Sequence, residues 1–211
     1  MKQIWDISPL ISPDGPVFPG DAPYSVKWAS RYSRENPLNL CSISLSPHIG
    51  AHADAPLHMA EGTPDISGLD LHPFIGKCRV IHAMDCGPLI FPKHLGHTPA
   101  PLPERILIRS RACAPKVWES DFTAVSPETI VWLHEQNVKL IGIDAPSIDP
   151  ADSKTLPCHN KLYELDMRVL ENLVLDEIPG NDYELIALPL KLAGACASPV
   201  RAVLRPFLNQ N

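Results

Sequence analysis

Short apolar runs, separated by polar and proline-rich stretches, form the main pattern of this chain. The runs are too short for long helices and are rich in aliphatic and β-branched residues, which favours strands. Strands are predicted at Leu40–Leu45, Cys78–Ala83, Arg105–Arg109, Val138–Ile143, Glu184–Leu190 and Val200–Leu204. We expect the last of these to close the sheet near the C-terminus.

Helical spacing is clearest after Ser126. Ser126 is a favourable N-cap, Pro127 suits the first helical position, and Asn137 is able to end the helix in a left-handed turn. A second, short helix is predicted from about His159 to Glu171. Together these elements predict an α/β fold with a mixed sheet, whose strand order the pattern alone does not fix.

Length and composition narrow the class of protein. The 211 residues suit one domain, predicted to cover residues 1–211, and the 24 prolines against 11 glycines predict rigid loops such as 8–16 and 88–103. The net charge of -6, without a basic cluster, argues against a nucleic-acid partner. No apolar run approaches the roughly 20 residues that cross a bilayer. Because the first residues also lack the apolar stretch of a signal peptide, we expect a cytoplasmic protein without a membrane partner.

Candidate chemistry is concentrated between residues 46 and 58. His48, His52, Asp54 and His58 all occupy even positions, and in an extended strand residues 48, 52 and 54 point to one face. Prolines bracket this run and argue against a helix, so it differs from the helical His-Glu-x-x-His motif. A single histidine is more often an ordinary core or surface residue, but this clustering of imidazoles with a carboxylate favours a zinc-type cation site.

The pattern His-x-Gly-x-His-x-Asp-x-Pro-x-His, which begins at His48, resembles the hallmark of the metal-dependent cyclase family of amide and ester hydrolases. Within that family, nearly the whole chain is similar to the bacterial kynurenine formamidases (arylformamidases). Other matching positions are 5–8, 19–21, 140–144, Asp149, 153–155, 170–172, 182–190 and 197–201. The resemblance implies a single mixed-sheet domain of the swivelling β/β/α type. It also implies zinc-dependent hydrolysis of N-formyl-L-kynurenine to L-kynurenine and formate, in tryptophan degradation.

The resemblance further implies two zinc ions per subunit. His48, His52 and Asp54 would bind one zinc, and Asp54 would bridge to a second zinc completed by His159 and Glu171. Glu171 would be able to contact both ions. Two divalent cations lower the pKa of a bound water and polarise a carbonyl, so on this interpretation a bridging hydroxide attacks the formyl carbon.

The resemblance assigns His58 as the proton donor and acceptor. A histidine suits that task near neutral pH, where the departing arylamine must be protonated. Phe18 matches the aromatic position of the substrate pocket, where the family usually has tryptophan. Phenylalanine keeps an aromatic face but lacks the indole N–H. The family also implies a homodimer in which the neighbouring subunit supplies part of each pocket.

Alternatives stay open both for the activity of the protein and for the roles of single residues. Phe18 keeps alive another cyclase-family activity, such as isatin hydrolysis with manganese. A non-catalytic metal-binding protein is a further reading, although structural zinc sites often use cysteine and the run contains none. Three alternatives concern single residues. His58 would be a zinc ligand in place of the proton donor, Cys158 would be an additional ligand, or Glu171 would face solvent on a helix. Asp144, at a strand end, is predicted to be either a structural group or one that supports the site without binding the metal. Trp118, Phe122 and Trp132 are predicted to make core or dimer contacts without a binding role.

Overall fold

The computed structural model describes residues 3–207. Met1 and Lys2, which begin the segment considered for a signal peptide, and residues 208–211, which end the predicted domain, lie outside the described residues. The strands are β1 Trp5–Asp6, β2 Ser25–Ser30, β3 Leu40–Ser44, β4 His52–Asp54, β5 Ile75–His82, β6 Leu89–Ile90, β7 Arg105–Arg109, β8 Ala124–Val125, β9 Leu140–Ile143, β10 Arg168–Glu171, β11 Asp182–Ile186, β12 Ala197–Pro199 and β13 Val203–Pro206. The α-helices are α1 Pro92–Leu95, α2 Pro127–Glu135 and α3 Pro157–Glu164.

One mixed sheet of nine strands organises the protein, in the order β1-β13-β11-β5-β7-β9-β10-β4-β12. The central neighbours β5, β7, β9 and β10 run parallel to one another, whereas the strands on either side pair antiparallel. Two short ribbons, β2-β3 and β6-β8, stand apart from this sheet. The mixed α/β architecture predicted from the sequence is therefore confirmed.

The central strands read as continuous apolar runs because both faces of the sheet are covered. Leu107 on β7 joins one buried cluster, while its neighbours Ile106 and Ile108 join the other. Gly142 on β9 has no room for a side chain, since a Cβ there would meet side-chain atoms of Leu107 and Leu173 at 2.5 and 2.8 Å. Helices α2 and α3 cover the second cluster with Ile130, Leu133 and Leu162.

The helix predicted after Ser126 is confirmed in detail. The Ser126 side chain accepts a hydrogen bond from the Thr129 backbone N–H, and Pro127 is the first helical residue. Asn137 has a φ of 64°, the left-handed conformation expected just beyond the helix end. No helix among residues 3–207 is long and apolar enough to cross a membrane.

The second predicted helix is partly wrong. Helix α3 begins earlier, at Pro157, and ends at Glu164, so Glu171 lies on strand β10 instead. The chain leaves the helix through Asp166, whose φ of 52° is left-handed, and the Met167 N–H donates to the Leu162 carbonyl. Such a left-handed residue closes a helix and redirects the chain.

Smaller differences concern strand and loop bounds. The predicted strand Val200–Leu204 begins at Val203 and lies between β1 and β11, so it is not at the edge of the sheet. The strand predicted to Leu190 already ends at Ile186, and the loop predicted at 88–103 contains β6 and α1. These bounds depend on strand partners that are distant in sequence.

Candidate metal centre and substrate cavity

Strand β4 places the first two candidate ligands. His52 and Asp54 point to the same face, with His52 Nε2 3.6 Å from Asp54 Oδ1. β4 lies between β10 and β12, and its register sets His52 opposite Glu171, whose Oε2 lies 3.2 Å from His52 Nε2. His52 Nδ1 donates to the Gly50 carbonyl at 2.9 Å, which leaves Nε2 facing the carboxylates.

His48 reaches the same place from a turn, so the prediction that residue 48 shares an extended strand with 52 and 54 is wrong. The chain turns at Gly50, which has a φ of 64° and against which the Ile11 side chain packs. The turn nevertheless directs His48 Nδ1 to within 3.1 Å of Asp54 Oδ1. The predicted grouping of the three side chains therefore holds although its local cause differs.

Helix α3 supplies His159 from its first turn. Asp149, which is fully buried, accepts hydrogen bonds from the backbone N–H groups of Cys158 and His159 and from His159 Nδ1 at 2.7 Å. This contact orients the ring so that its Nε2 lies 3.4 Å from Asp54 Oδ2 and 3.4 Å from Glu171 Oε1. No role was predicted for Asp149 from the sequence, where its signal is an acidic residue shortly before a helix that begins with Pro157.

The ligand atoms form two sets that share both carboxylates. The first set contains His48 Nδ1, His52 Nε2, Asp54 Oδ1 and Glu171 Oε2. The second contains His159 Nε2, Asp54 Oδ2 and Glu171 Oε1. Each carboxylate thus presents one oxygen to each set, which is the arrangement needed to hold two cations close together.

Several of these atoms are buried without a hydrogen-bond partner. His52 Nε2, Asp54 Oδ1 and Asp54 Oδ2 are all in this state, although each lies near another ligand atom. Buried polar atoms without partners are costly, and here they converge on shared points without satisfying one another. The residues therefore fit a divalent cation with nitrogen and oxygen ligands.

The pKa values of the cluster also favour a cation site. Burial favours the neutral ring of His52, but Glu171 and Asp54 outweigh it and raise its pKa to about 9. Burial acts likewise on His159, where Asp149, Asp54 and Glu171 raise the pKa to about 12. Burial opposes ionisation of Glu171, yet the neighbouring imidazole rings of His159 and His52 lower its pKa to about 2. The buried carboxylates thus hold positive charge beside them, which metal ions are suited to supply.

His58 lies over the ligand sets without belonging to the shared carboxylate arrangement. It ends a short 3₁₀ turn at Pro56–His58, and its ring centroid is 4.3 Å from that of His48 and 5.6 Å from that of His159. Burial lowers its pKa, partly offset by the charge of Asp54. Its ring nitrogens also group with Asp54 and His159, so the ligand alternative for His58 remains open.

Two further alternatives are settled by position. Glu171 is 3% exposed and accepts from the Ile148 N–H, so it does not face solvent on a helix. The Cys158 thiol donates to the Val125 carbonyl and belongs to none of the candidate ligand groups among the described residues. Cys196 is closer to the cluster, with its sulfur 3.4 Å from His48 Nε2. Asp144 is structural as expected, because it accepts from the Ser110 and Arg111 N–H groups.

A cavity of about 380 Å³ opens above the histidines. Phe18 lines this cavity, and its ring packs edge-on against Trp118, with centroids 4.7 Å apart. That Phe18 contacts substrate stays a prediction. Trp118 also lines the cavity, in addition to its contact with Phe122, although no binding role was predicted for it from the sequence. No local pattern marks Trp118, because it comes from a loop that the fold brings to Phe18.

Comparison with known proteins agrees with this site. The family model described as "Putative cyclase" matches residues 5–150. The kynurenine formamidase of Bordetella avium (strain 197N) is 59% identical over 97% of this chain and 99% of its own, and that of Polaromonas naphthalenivorans (strain CJ2) is 54% identical over 96% and 91%.

Solved structures share the fold. A potential metal-dependent hydrolase with cyclase activity superposes with a TM-score of 0.84 at 24% identity, covering 99% of this chain and 100% of its own. Isatin hydrolase A from Labrenzia aggregata gives a TM-score of 0.83 at 24% identity, covering 98% and 94%. The fold, the grouped ligands and the full-length relatives together place this chain in the cyclase family, among the relatives of the kynurenine formamidases, and identify it as a hydrolase.

Proposed function

We propose that this protein hydrolyses N-formyl-L-kynurenine to L-kynurenine and formate, as the names of its full-length relatives suggest. The observation that carries the proposal is the pair of buried carboxylates, Asp54 and Glu171, each shared between two sets of ligand atoms beneath the cavity. Amide hydrolysis is slow without activation of water and carbonyl, and this is the kind of site that supplies both.

The proposed cofactor is zinc, with two ions per subunit. His48, His52 and Asp54 would hold one ion, while His159, Asp54 and Glu171 would hold the other, and Glu171 is also placed to contact the first. When bound, such ions lower the pKa of water toward neutrality and polarise a carbonyl oxygen. The nitrogen and oxygen donors suit zinc, and manganese is the alternative ion.

The protein's own side chains account for the remaining steps. The aryl ring of the substrate would lie against Phe18 and Trp118, with its formyl group toward the histidines. Because burial lowers its pKa, His58 is neutral at pH 7 and ready to accept the proton of the attacking water. The water oxygen bonds to the formyl carbon, and His58 returns the proton to the aniline nitrogen as the C–N bond breaks. The formic acid that is released then loses its remaining proton to solvent and leaves as formate.

We further propose that the active form is a homodimer. The ribbon β2-β3 lies outside the main sheet and exposes Trp28, Leu40 and Ile43, the last two by more than half of their surface. An isolated two-stranded ribbon with exposed apolar side chains is marginally stable in water. A second copy that covers this ribbon would remove that surface, and sedimentation analysis of the purified protein at several concentrations tests it.

The decisive test compares two substrates on the zinc-loaded protein. Formylkynurenine turnover should be readily measurable, with two zinc ions per chain by elemental analysis. Phe18, where the family usually has tryptophan, keeps isatin hydrolysis as the second candidate. Rapid opening of isatin together with negligible cleavage of formylkynurenine would contradict the proposal, and activity restored by manganese but not zinc would change the assigned metal.

A further inference from the structure

Among the described residues of the cavity wall, one lysine carries a positive charge that does not depend on the protonation of a histidine. Lys154 is the only lysine or arginine among the described residues that form its wall, whereas Asp21, Glu119 and Glu171 contribute carboxylates. A negatively charged molecule that enters would therefore meet mostly like charges away from the metal ligands. The Lys154 side chain is exposed, but at the cavity wall its ammonium group would still attract the carboxylate of a bound molecule, because opposite charges interact more strongly beside a cavity than in bulk water.

Among the described residues, Lys154 has no hydrogen-bond or ion-pair partner, whereas the carboxylates of Asp21 and Glu119 in the same wall each have one. Within residues 3–207, neither a hydrogen bond nor a carboxylate within 4.0 Å is found for its ammonium group. In contrast, Asp21 accepts from the Ser46 hydroxyl at 2.9 Å, and Glu119 lies 3.5 Å from Arg111. An unpaired lysine is ordinary on an open surface, but this one borders the cavity.

The loop that carries Lys154 is held in place by its own hydrogen bonds. The Ser153 N–H donates to the Pro150 carbonyl at 3.0 Å, and the Leu156 N–H donates to the Ser153 hydroxyl at 3.1 Å. The loop then passes through Leu156, with a left-handed φ of 44°, into helix α3 and His159. The position of Lys154 is thereby tied to the segment that carries a candidate metal ligand.

We propose that Lys154 binds the α-carboxylate of the substrate and so selects arylformamides that carry an amino-acid side chain. This inference rests on the proposed function, because it assumes that the formyl group faces the histidines and the ring faces Phe18 and Trp118. The rest of the molecule then extends along the wall, where the ammonium group offers three donors to a carboxylate. Lys154 is thus a specificity-determining residue, apart from the bond-breaking groups.

Two substrates and three variants test this assignment on the zinc-loaded protein. N-formyl-L-kynurenine carries the carboxylate, and formanilide is an uncharged arylformamide that lacks it. The variants are Lys154→Gln, Lys154→Arg and Lys161→Gln; the last removes an equal charge from helix α3, outside the cavity wall, where Lys161 pairs with Glu164.

Lys154→Gln should raise the KM for formylkynurenine about tenfold while leaving kcat nearly unchanged. For formanilide, kcat/KM should stay the same. Lys154→Arg should recover most of the affinity, and Lys161→Gln should alter neither substrate. Binding of L-kynurenine, measured by calorimetry, should weaken about tenfold in Lys154→Gln alone, and added salt should raise the KM of the unmodified protein more than that of this variant.

The outcomes separate the two proposals. If Lys154→Gln leaves the KM for formylkynurenine unchanged, or impairs both substrates equally, the role of Lys154 is wrong while the proposed function stands. If the unmodified protein cleaves formanilide but not formylkynurenine, both proposals are overturned.

Discussion

The metal-ligand cluster and the wall of the substrate cavity are built in different ways. The cluster is buried, and His52, Asp54 and Glu171 are all at most 8% exposed on paired strands of the main sheet. The wall comes from loops near residues 18, 118 and 154. Strand register fixes the positions of the ligands closely, whereas loops tolerate substitution. Substitutions in the wall can therefore change which substrate binds without moving the groups that carry the chemistry.

The two regions also differ in the kind of contact that orients their side chains. His159 is oriented by Asp149, and His52 by the Gly50 carbonyl, before either meets a ligand. The Phe18 ring is instead packed against the ring of Trp118. We therefore expect changes in the cluster to abolish turnover and changes in the wall to alter substrate affinity.

The largest effect is expected for Asp54→Asn. The amide keeps the shape of the side chain but removes the charge shared by both ligand sets, so kcat/KM should fall by about a thousandfold or more and zinc content should drop. Asp182→Asn is the control, because Asp182 pairs with Lys77 and Arg79 away from the site. Full turnover with two bound zinc ions in Asp54→Asn would show that the cluster is not the catalytic centre.

His58→Gln should lower kcat by about 10²–10⁴-fold while two zinc ions per chain remain bound. The expected loss reflects the missing proton transfer. Steady-state assays measure kcat, and elemental analysis measures the zinc content. His72→Gln serves as the control, since His72 pairs with Glu104 at the surface. A fall in zinc content that parallels the loss of turnover would instead make His58 a ligand.

Asp149→Asn should weaken zinc binding by about 10- to 100-fold, because the amide no longer stabilises the correctly oriented ring of His159. Competition with a chelator of known affinity gives the dissociation constant. Unchanged zinc affinity would limit Asp149 to capping the first turn of α3.

Zinc binding should release protons and strengthen as pH rises. With the pKa of His52 raised to about 9, and that of His159 to about 12, both rings are protonated in the metal-free protein at pH 7 and must lose a proton to bind the ion. Affinity should therefore increase about tenfold or more per pH unit between pH 7 and 9. Calorimetry in buffers of different ionisation enthalpy counts the protons, and a pH-independent affinity would contradict the charge state described for the cluster.

The smallest effect is expected at the wall. Phe18→Leu should raise the KM for formylkynurenine about three- to tenfold with little change in kcat, because it removes one of two rings that flank the substrate. Phe18→Trp should retain turnover within about threefold. A large fall in kcat for Phe18→Leu would mean that the wall also positions the reacting group.

The same contrast explains which features the sequence predicts. The spacing of His52 and Asp54 is a local property of a strand, so the pattern alone indicates that they share a face. The position of Glu171 opposite His52 depends on two strands, β10 and β4, that are far apart in the sequence. Strand β10 has only four residues, so its pattern is too short to be distinguished from the end of a helix.

Residues that act through tertiary contacts were missed for a related reason. Trp118 belongs to a loop whose path is set by packing against Phe18 and Phe122, and no periodicity reports it. Asp149 works through backbone N–H groups of a helix that begins several residues later. Resemblance to a family supplied His159 and Glu171 where spacing alone left them unassigned.

Strand β4 lies between β10 and β12 and links the metal-ligand cluster to the folding of this end of the sheet. Because β4 has only three residues, it forms few backbone hydrogen bonds. The stability of this end of the sheet therefore depends also on the contacts between its side chains and those of the neighbouring elements. Ions held jointly by β4, β10 and α3 would fasten three distant stretches of chain to one another. Acquiring the cofactor and completing the sheet would then be a single event, in which an immature polypeptide becomes both rigid and active.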